Sequence, residues 1–240
     1  MITLAALEEL RDFDTTLLAN TIGYIDSTPA HEFYLSGEIQ SATPSLGPTV
    51  GIAVTCEVDS STPDNIAEGE LYWEQLDEMA KNDLPMVWVV KALGTRPEHE
   101  CVIGDGMAKT LYAVGCNGIV TDGRVRDVSG LLTTPFAAYC KGKAVHHVPM
   151  RFLACNRPVE VGGVTIHPGD VLHANSEGVI RIPKTCINVL AETAVRMRAF
   201  EHKAHMILRR TNLLPKEKRT HIQELLSEYG FADCVTQTKR

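Results

Sequence analysis

The absences in this 240-residue chain narrow its class first. No apolar run approaches the ~20 residues that a membrane-spanning helix needs. The amino terminus, Met1-Ile2-Thr3 followed by Leu4-Ala5-Ala6-Leu7-Glu8-Glu9, has no positively charged leader. A soluble, cytoplasmic protein is expected. Basic charge is in deficit, with 23 Lys and Arg against 30 Asp and Glu for a net charge of -7, which argues against nucleic acid or an anionic membrane as partner. The seven cysteines (56, 101, 116, 140, 155, 186 and 234) are odd in number and include no C-x-x-C pair, so neither a disulfide framework nor a zinc knuckle is expected. They are expected to be reduced. Cys116 reads as a small buried hydrophobe, because no histidine is placed near it in sequence. Internal repeats, low-complexity tracts and obvious linkers are missing as well.

What is present is a 44% hydrophobic composition, enough for one large domain with a proper core. Residues 4–12 and 15–22 read as short helices, with Asp14 or Thr15 placed to cap the second. Thr49 to Thr55 is β-branched and apolar enough for a buried strand. Residues 66–80 carry Leu71, Trp73, Leu76 and Met79 at near-helical spacing, which puts Trp73 in the core. Met86 to Val90 is the next strand. This alternation predicts an α/β fold. After Asp127 the expectation is of short strands near 144–148, 151–154, 164–166, 170–174 and 178–182, without intervening helices. A long helix from Lys184 is ended by Pro215, and Thr220 to Tyr229 forms a last amphipathic helix.

The most informative stretch runs from Gly104-Asp105-Gly106-Met107-Ala108 to Asp122-Gly123-Arg124-Val125-Arg126-Asp127. Gly104 to Gly106 reads as a tight turn, Met107 to Val114 as a short helix and Gly115 as its stop. Free backbone N–H groups at such a helix start favour anions. Gly118-Ile119-Val120-Thr121 reads as a buried strand whose Asp122-Gly123 turn delivers Arg126 and Asp127 to its end, where ligands sit in open α/β layouts. The alternative is plain: Asp-Gly turns are common, and adjacent Arg and Asp can be a solvated surface pair.

The pattern G-D-G-M-A followed by G-x-x-G-I-V-T-D-G-x-x-R-D resembles the family that contains the regulator of ribonuclease activity A and the class II 4-hydroxy-4-methyl-2-oxoglutarate aldolases. The resemblance extends to Val164-Thr165-Ile166-His167-Pro168-Gly169-Asp170 and Gly178-Val179-Ile180-Arg181-Ile182-Pro183, and more faintly to Thr15 through Gly23, covering roughly residues 10–205. It implies a compact αββα sandwich, an RraA-like, phosphohistidine-domain-like fold, over residues 1–205, with a helical extension over 206–240. It implies Asp127 as the ligand of Mg²⁺ or Mn²⁺, Asp105 as the holder of metal-bound water, and Arg126 as a fixed cation beside the reacting oxygen. The N–H groups of Gly106 and Met107 would grip the carboxylate of a 2-oxo acid, and Glu201 would enter the site of a neighbouring subunit as the base. The implied activity is divalent-metal-dependent retro-aldol cleavage of a 4-hydroxy-2-oxo acid to pyruvate, with oxaloacetate decarboxylation beside it, in a homotrimer or homohexamer. The same family also implies a competing class, a non-catalytic regulator that binds a ribonuclease. Retention of Asp105, Arg126, Asp127 and Glu201 favours the enzyme. A methyltransferase is a weaker reading, because Gly104-Asp105-Gly106 lacks the third glycine of a cofactor fingerprint.

The chain departs from the family pattern at Gly106, where a bulkier apolar residue is common, and at Asn20 and Asn175, where Asp is frequent. Glu192 is the other glutamate that a shifted register would place at the Glu201 position. His202 and His205 have no third ligand and read as surface histidines, and His146-His147, in the expected strand, must point to opposite faces and so cannot act as one unit. Residues 196–220 hold eight basic groups against Glu201 and Glu217, which reads as a solvated helix face or as a tail packed on an acidic neighbouring subunit.

Overall fold

The computed structural model describes residues 2–147 and 149–232. Along the chain run α1 (Leu4–Leu10), α2 (Thr15–Ile22), β1 (Gln40–Ser41), β2 (Thr49–Asp59), α3 (Glu70–Met79), β3 (Met86–Ala92), β4 (Cys101–Ile103), α4 (Asp105–Ala113) and β5 (Cys116–Thr121). Then come β6 (Arg124–Val125), α5 (Val128–Thr133), β7 (Ala137–Cys140), β8 (Gly142–Lys143), β9 (Arg151–Cys155), β10 (Val159–Val161), β11 (Val164–Ile166), β12 (Val171–Asn175), β13 (Gly178–Ile182), α6 (Leu190–Leu208) and α7 (Pro215–Glu228). No helix among the described residues is long and apolar enough to cross a membrane.

Eight strands make the main sheet, in the order β1-β7-β5-β3-β2-β12-β13 with β9 also paired to β2. The strands β2, β3, β5 and β7 are mutually parallel, and the other pairings are antiparallel. Alternation along β2 explains the layers. Val50, Cys56 and Val58 point to the helices, whereas Ala53 points to an inner core shared with Val87, Val89, Val120 and the β10–β11 hairpin. The helices flank the sheet in two groups, α1, α2, α6 and α7 over β12 and β13, and α3, α4 and α5 over β3, β5 and β7. This is the α/β helix–sheet–sheet–helix layering that the family resemblance implies. Helix α6 runs past residue 205, and Leu225 and Phe231 return the chain to the same core as Leu7, Leu18 and Phe200.

Several local expectations are corrected. Trp73 is 57% exposed, and its neighbour Tyr72 is buried instead. The buried stripe of α3 is Tyr72, Gln75, Leu76 and Met79, spaced i, i+3, i+4 and i+7, so Trp73 lies one position off it. Gln75 belongs to that stripe because its Oε1 accepts the Trp88 indole N–H at 2.9 Å. Asp14 occupies the position before α2 but makes no capping bond. Beyond Asp127 the chain forms α5 and β7 before the short strands begin. Residues 144–147 are not a strand, and Val148 lies outside the described residues. The long helix starts at Leu190 rather than 184, and Pro215 opens α7 at a position where its missing N–H costs nothing.

The α1–α2 corner is fixed to the sheet by His173 of β12, a fully buried side chain. Its Nδ1 is bonded to the Thr15 hydroxyl at 2.9 Å and its Nε2 lies 3.1 Å from the Leu10 carbonyl, so a neutral ring with hydrogen on Nε2 satisfies both partners. Desolvation by burial pushes its pKa down to about 4 from 6.5. A depressed pKa in the folded state means that the unfolded chain takes up the proton first. The stability from this neutral histidine is therefore complete above pH 6.5 and lost as pH falls towards 4, on the order of 3 kcal/mol. Urea unfolding across that window is expected to show wild-type stability falling more steeply than that of His173→Gln. Parallel pH curves would refute the assignment.

Candidate active site

Three short parallel strands, β4, β6 and β8, form a small second sheet. Their carboxyl ends lie side by side, because the Arg126 N–H donates to the Ile103 carbonyl at 3.0 Å and the Ala144 N–H to the Val125 carbonyl at 2.9 Å. Residues 104–107, 126–127 and 144–147 therefore leave the sheet at one place, where parallel layouts bind ligands. The strand that delivers Arg126 and Asp127 is thus β6. The expected strand, β5, belongs to the main sheet, and Asp122-Gly123 carries the chain from one sheet to the other. Asp122 is occupied by that crossing, accepting from Lys91 Nζ at 2.6 Å and from the Ala92 N–H at 2.9 Å.

Asp127 has φ 56° and ψ 41°, a left-handed conformation that aspartate tolerates better than most side chains. Its carbonyl accepts from Gly130 at 2.8 Å and Leu131 at 3.1 Å, so the first turn of α5 holds it there. Its carboxylate makes no capping bond and instead accepts from Arg126 Nη1 at 2.5 Å. Strained polar residues over-determined by their surroundings are concentrated at functional sites.

Asp105 and Gly106 are the first residues of α4 rather than part of a preceding turn, with Gly104 as N-cap. Ala108 is the first residue whose N–H closes onto the helix, bonding Gly104 at 3.1 Å, so those of Gly106 and Met107 have no intrahelical partner. The Gly106 N–H turns to the Asp105 carboxylate, and Lys109 Nζ donates to that carboxylate at 2.6 Å. Chiefly through Lys109, the Asp105 carboxyl is held below the usual carboxylate range. Asp105 also packs on α5, since a Cβ at Gly130 would come within 2.5 Å of the Asp105 Cβ. The Arg126 guanidinium lies on Gly104, the N-cap of α4, where an added Cβ would meet Cζ at 2.9 Å. A Cβ at Gly106 would meet nothing within 4 Å, so the wall there is open.

A cleft of about 400 Å³ takes Gly104, Gly106, Met107 and Arg126 into its lining, whereas Asp105 and Asp127 stand beside it and do not line it. Its apolar lining comes from Tyr72, Ile103, Met107, Met150 and Phe152, and its polar lining includes Arg126 and His147. Sequence reasoning misses Tyr72, Met150 and Phe152, and it sets His147 aside as half of a pair split across a strand that does not form. The stripe of α3 that holds Tyr72 was the one available signal, and the neighbouring Trp73 obscured it. Tyr72 Oη is bonded to Thr110 Oγ1 at 2.5 Å, and burial pushes its phenol up to about 12. Cys116 is the buried small hydrophobe expected, with its thiol pushed up to about 12 by burial.

Glu201 is not brought to this cleft within its own chain. It stands on α6, where its Oε1 accepts from Asn20 Nδ2 of α2 at 3.4 Å. His202 and His205 are exposed. Among the described residues no group of three or more His, Cys, Asp or Glu is arranged to hold a metal ion. A cation held at Asp127 would have to be a hard one that takes one or two carboxylates and keeps most of its water, not one needing an all-protein cage.

The family model for RraA-like proteins, described as Aldolase/RraA, matches residues 25–181, which include the cleft and leave out α1, α2, α6 and α7. A protein of Halalkalibacterium halodurans named "Putative 4-hydroxy-4-methyl-2-oxoglutarate aldolase" is 38% identical over 80 residues, covering 33% of this chain and 37% of that protein. Protein DlpA of Legionella pneumophila is 26% identical over 128 residues, 52% of this chain and 21% of that protein. The matched stretches thus span well under two thirds of these curated relatives. Among solved structures, an uncharacterized protein from Pseudomonas syringae superposes with a TM-score of 0.68 at 21% identity, covering 92% of this chain and 95% of that one. RraAS2 of Streptomyces coelicolor, described as an unusual member of the RNase ES inhibitor RraA protein family, gives a TM-score of 0.66 at 22% identity over 85% of this chain and 98% of that one. At such identities the structural likeness speaks for the fold alone. With its motif residues, its fold and the matched family model in agreement, the chain belongs to the RraA-like (Aldolase/RraA) family.

Proposed function

We propose that this protein is a carbon–carbon lyase that cleaves a small 4-hydroxy-2-oxo acid to pyruvate, with Mg²⁺ or Mn²⁺ held by Asp127. The observation that carries the reading is the Arg126 guanidinium seated on Gly104, between the open start of α4 and the Asp127 carboxylate. When bound, the cation would supply positive charge next to the oxygen on which negative charge develops. The residues do the rest. The free Met107 N–H at the start of α4 receives the substrate carboxylate, and the Gly106 N–H joins it on leaving the Asp105 carboxylate. Arg126 presents a fixed planar donor to the oxygen that gains charge, and Tyr72, Met150 and Phe152 exclude water from it. Asp105, kept ionised by Lys109, orients water at the edge of the site. Loss of carbon dioxide from oxaloacetate develops the same charge, so decarboxylation is a second expected activity.

Proton removal from the substrate hydroxyl is assigned to Glu201 of a neighbouring subunit. Within one chain Glu201 stays with Asn20, so a closed ring, a trimer or a hexamer of stacked trimers, is what completes the site. The second reading, a protein-binding regulator of a ribonuclease, leaves Arg126 and Asp127 without a chemical role and is separated from the first by their variants.

Asp127→Asn keeps the side-chain shape and suits the left-handed backbone, so melting is expected to hold while metal-dependent pyruvate release is abolished. Arg126→Ala is expected to lower kcat by about 10²–10³-fold, the usual loss for one donor aimed at a developing oxyanion. Full pyruvate release by both variants, or none by the wild type from any 2-oxo acid in a panel, would overturn the lyase reading.

Gly104→Ala tests the seat of the guanidinium. Its backbone is extended and accepts alanine, but the new methyl group would press on Arg126, so rate is expected to fall with little change in melting. An unchanged rate would show that the guanidinium works without this seat. Finally, inactive Asp127→Asn and inactive Glu201→Gln subunits, dissociated and reassembled together, are expected to regain activity. Mixtures that stay dead, or an active monomer in sedimentation, would remove the shared site.

A further inference from the structure

Cys56 of β2 and Cys155 of β9 face each other across an antiparallel pair, in direct register. The flanking residues carry the ladder bond, from the Asn156 N–H to the Thr55 carbonyl at 2.9 Å, which makes the two cysteines a non-hydrogen-bonded pair. Residues in such pairs bring their Cα atoms to about 4.5 Å, inside the range that a disulfide spans. The two sulfurs share a hydrogen bond of 3.5 Å, so side-chain rotation of about 1.5 Å would bring them to bonding distance.

The two thiols are not equivalent. Cys56 is buried, and Cys155 alone among the six described cysteines is not. Cys155 lines a separate cleft of about 310 Å³ between α3 and β9, with Leu71, Glu74, Gln75, Glu78 and Arg157. A small thiol reagent can therefore reach Cys155, and only Cys56 stands behind it. The shared hydrogen bond raises the Cys56 thiol and lowers that of Cys155, where it outweighs partial burial and the nearby Glu78 and Glu74 carboxylates, which act in the opposite direction. The remaining described thiols, Cys101, Cys116, Cys140 and Cys186, are buried and all pushed up by burial.

We propose that Cys56 and Cys155 form a redox-active dithiol that exchanges with small-molecule disulfides, with Cys155 as the sulfur that attacks the incoming disulfide and Cys56 as the one that resolves the mixed disulfide. The Cys155 thiolate attacks one sulfur of a disulfide R–S–S–R, a Cys155–S–R bond forms, and one R–S⁻ leaves and takes up a proton. The Cys56 thiol attacks Cys155 Sγ, closing the Cys56–Cys155 bond and releasing the second R–S⁻, which takes up the Cys56 proton as it leaves. Two protein thiols are oxidised and one small disulfide is reduced to two thiols. The site stands apart from the lyase reading, since none of the residues assigned to catalysis lines its cleft.

The native protein, incubated with glutathione disulfide, acid-quenched, alkylated under denaturing conditions and digested, is expected to yield a linked pair of peptides holding Cys56 and Cys155. Dithiothreitol should return both to the alkylated form. In Cys56→Ser the exchange should stop halfway, leaving a stable glutathione adduct on Cys155, and Cys155→Ser should leave Cys56 free. The wild-type experiment decides the matter even if a variant fails to fold. Recovery of Cys56 and Cys155 as free thiols while the glutathione disulfide is in excess, a lasting glutathione adduct on wild-type Cys155, or linkage of either to a different cysteine would each overturn the proposal.

Discussion

The strand β2 has to satisfy more partners than any other element. Its eleven residues pair with β3 on one side and, in succession, with β12 and β9 on the other. A strand so enclosed can bury side chains on both faces, which is why Val50, Cys56 and Val58 contribute to helix-facing cores while Ala53 faces the inner one. Both helix groups and the β10–β11 hairpin are placed relative to one another by this strand. Gly51 shows how tight the placement is, because a Cβ there would stand 2.7 Å from the Pro85 carbonyl oxygen.

The candidate site depends on a second constraint, the transfer of the chain between sheets. Four parallel strands of the main sheet bring β5 to its end at Thr121, and the Asp122-Gly123 crossing starts β6 in a separate sheet beside β4. That crossing is fixed by Lys91 and the Ala92 N–H on Asp122. Glycine at 123 is required by space, since a Cβ would lie 2.9 Å from Val102. The result is a site whose charged groups come from loops but whose loops start at paired strands, which limits how far they can move.

Packing behind the cleft is equally specific. Tyr72, Trp88 and Phe152 form one aromatic cluster, with Tyr72 and Phe152 centroids 5.2 Å apart, and Gln75 ties Trp88 to the Thr55 carbonyl. The apolar wall of the cleft beside Arg126 is therefore the outer surface of the core around Trp88. The dithiol lies at the far end of the same β9 that supplies Phe152.

The sequence by itself determined the fold class, because strand and helix periodicities alternate clearly through Val90. It also singled out Asp105, Arg126 and Asp127 as candidates, since they sit in a motif with glycines at fixed offsets. Gly115, at φ 88°, stops α4 as its position suggests. What only the tertiary structure decided were features that depend on partners distant in the chain. Strands as short as β4, β6 and β8, two or three residues each, carry no periodicity and exist because they pair. The exchange of Tyr72 for Trp73 as the buried aromatic turned on one position of helical phase, fixed by Trp88 and Phe152 on other strands. The facing of Cys56 and Cys155, 99 residues apart, follows from the register of β9 on β2, and registers between distant strands are set by the whole sheet rather than by either segment.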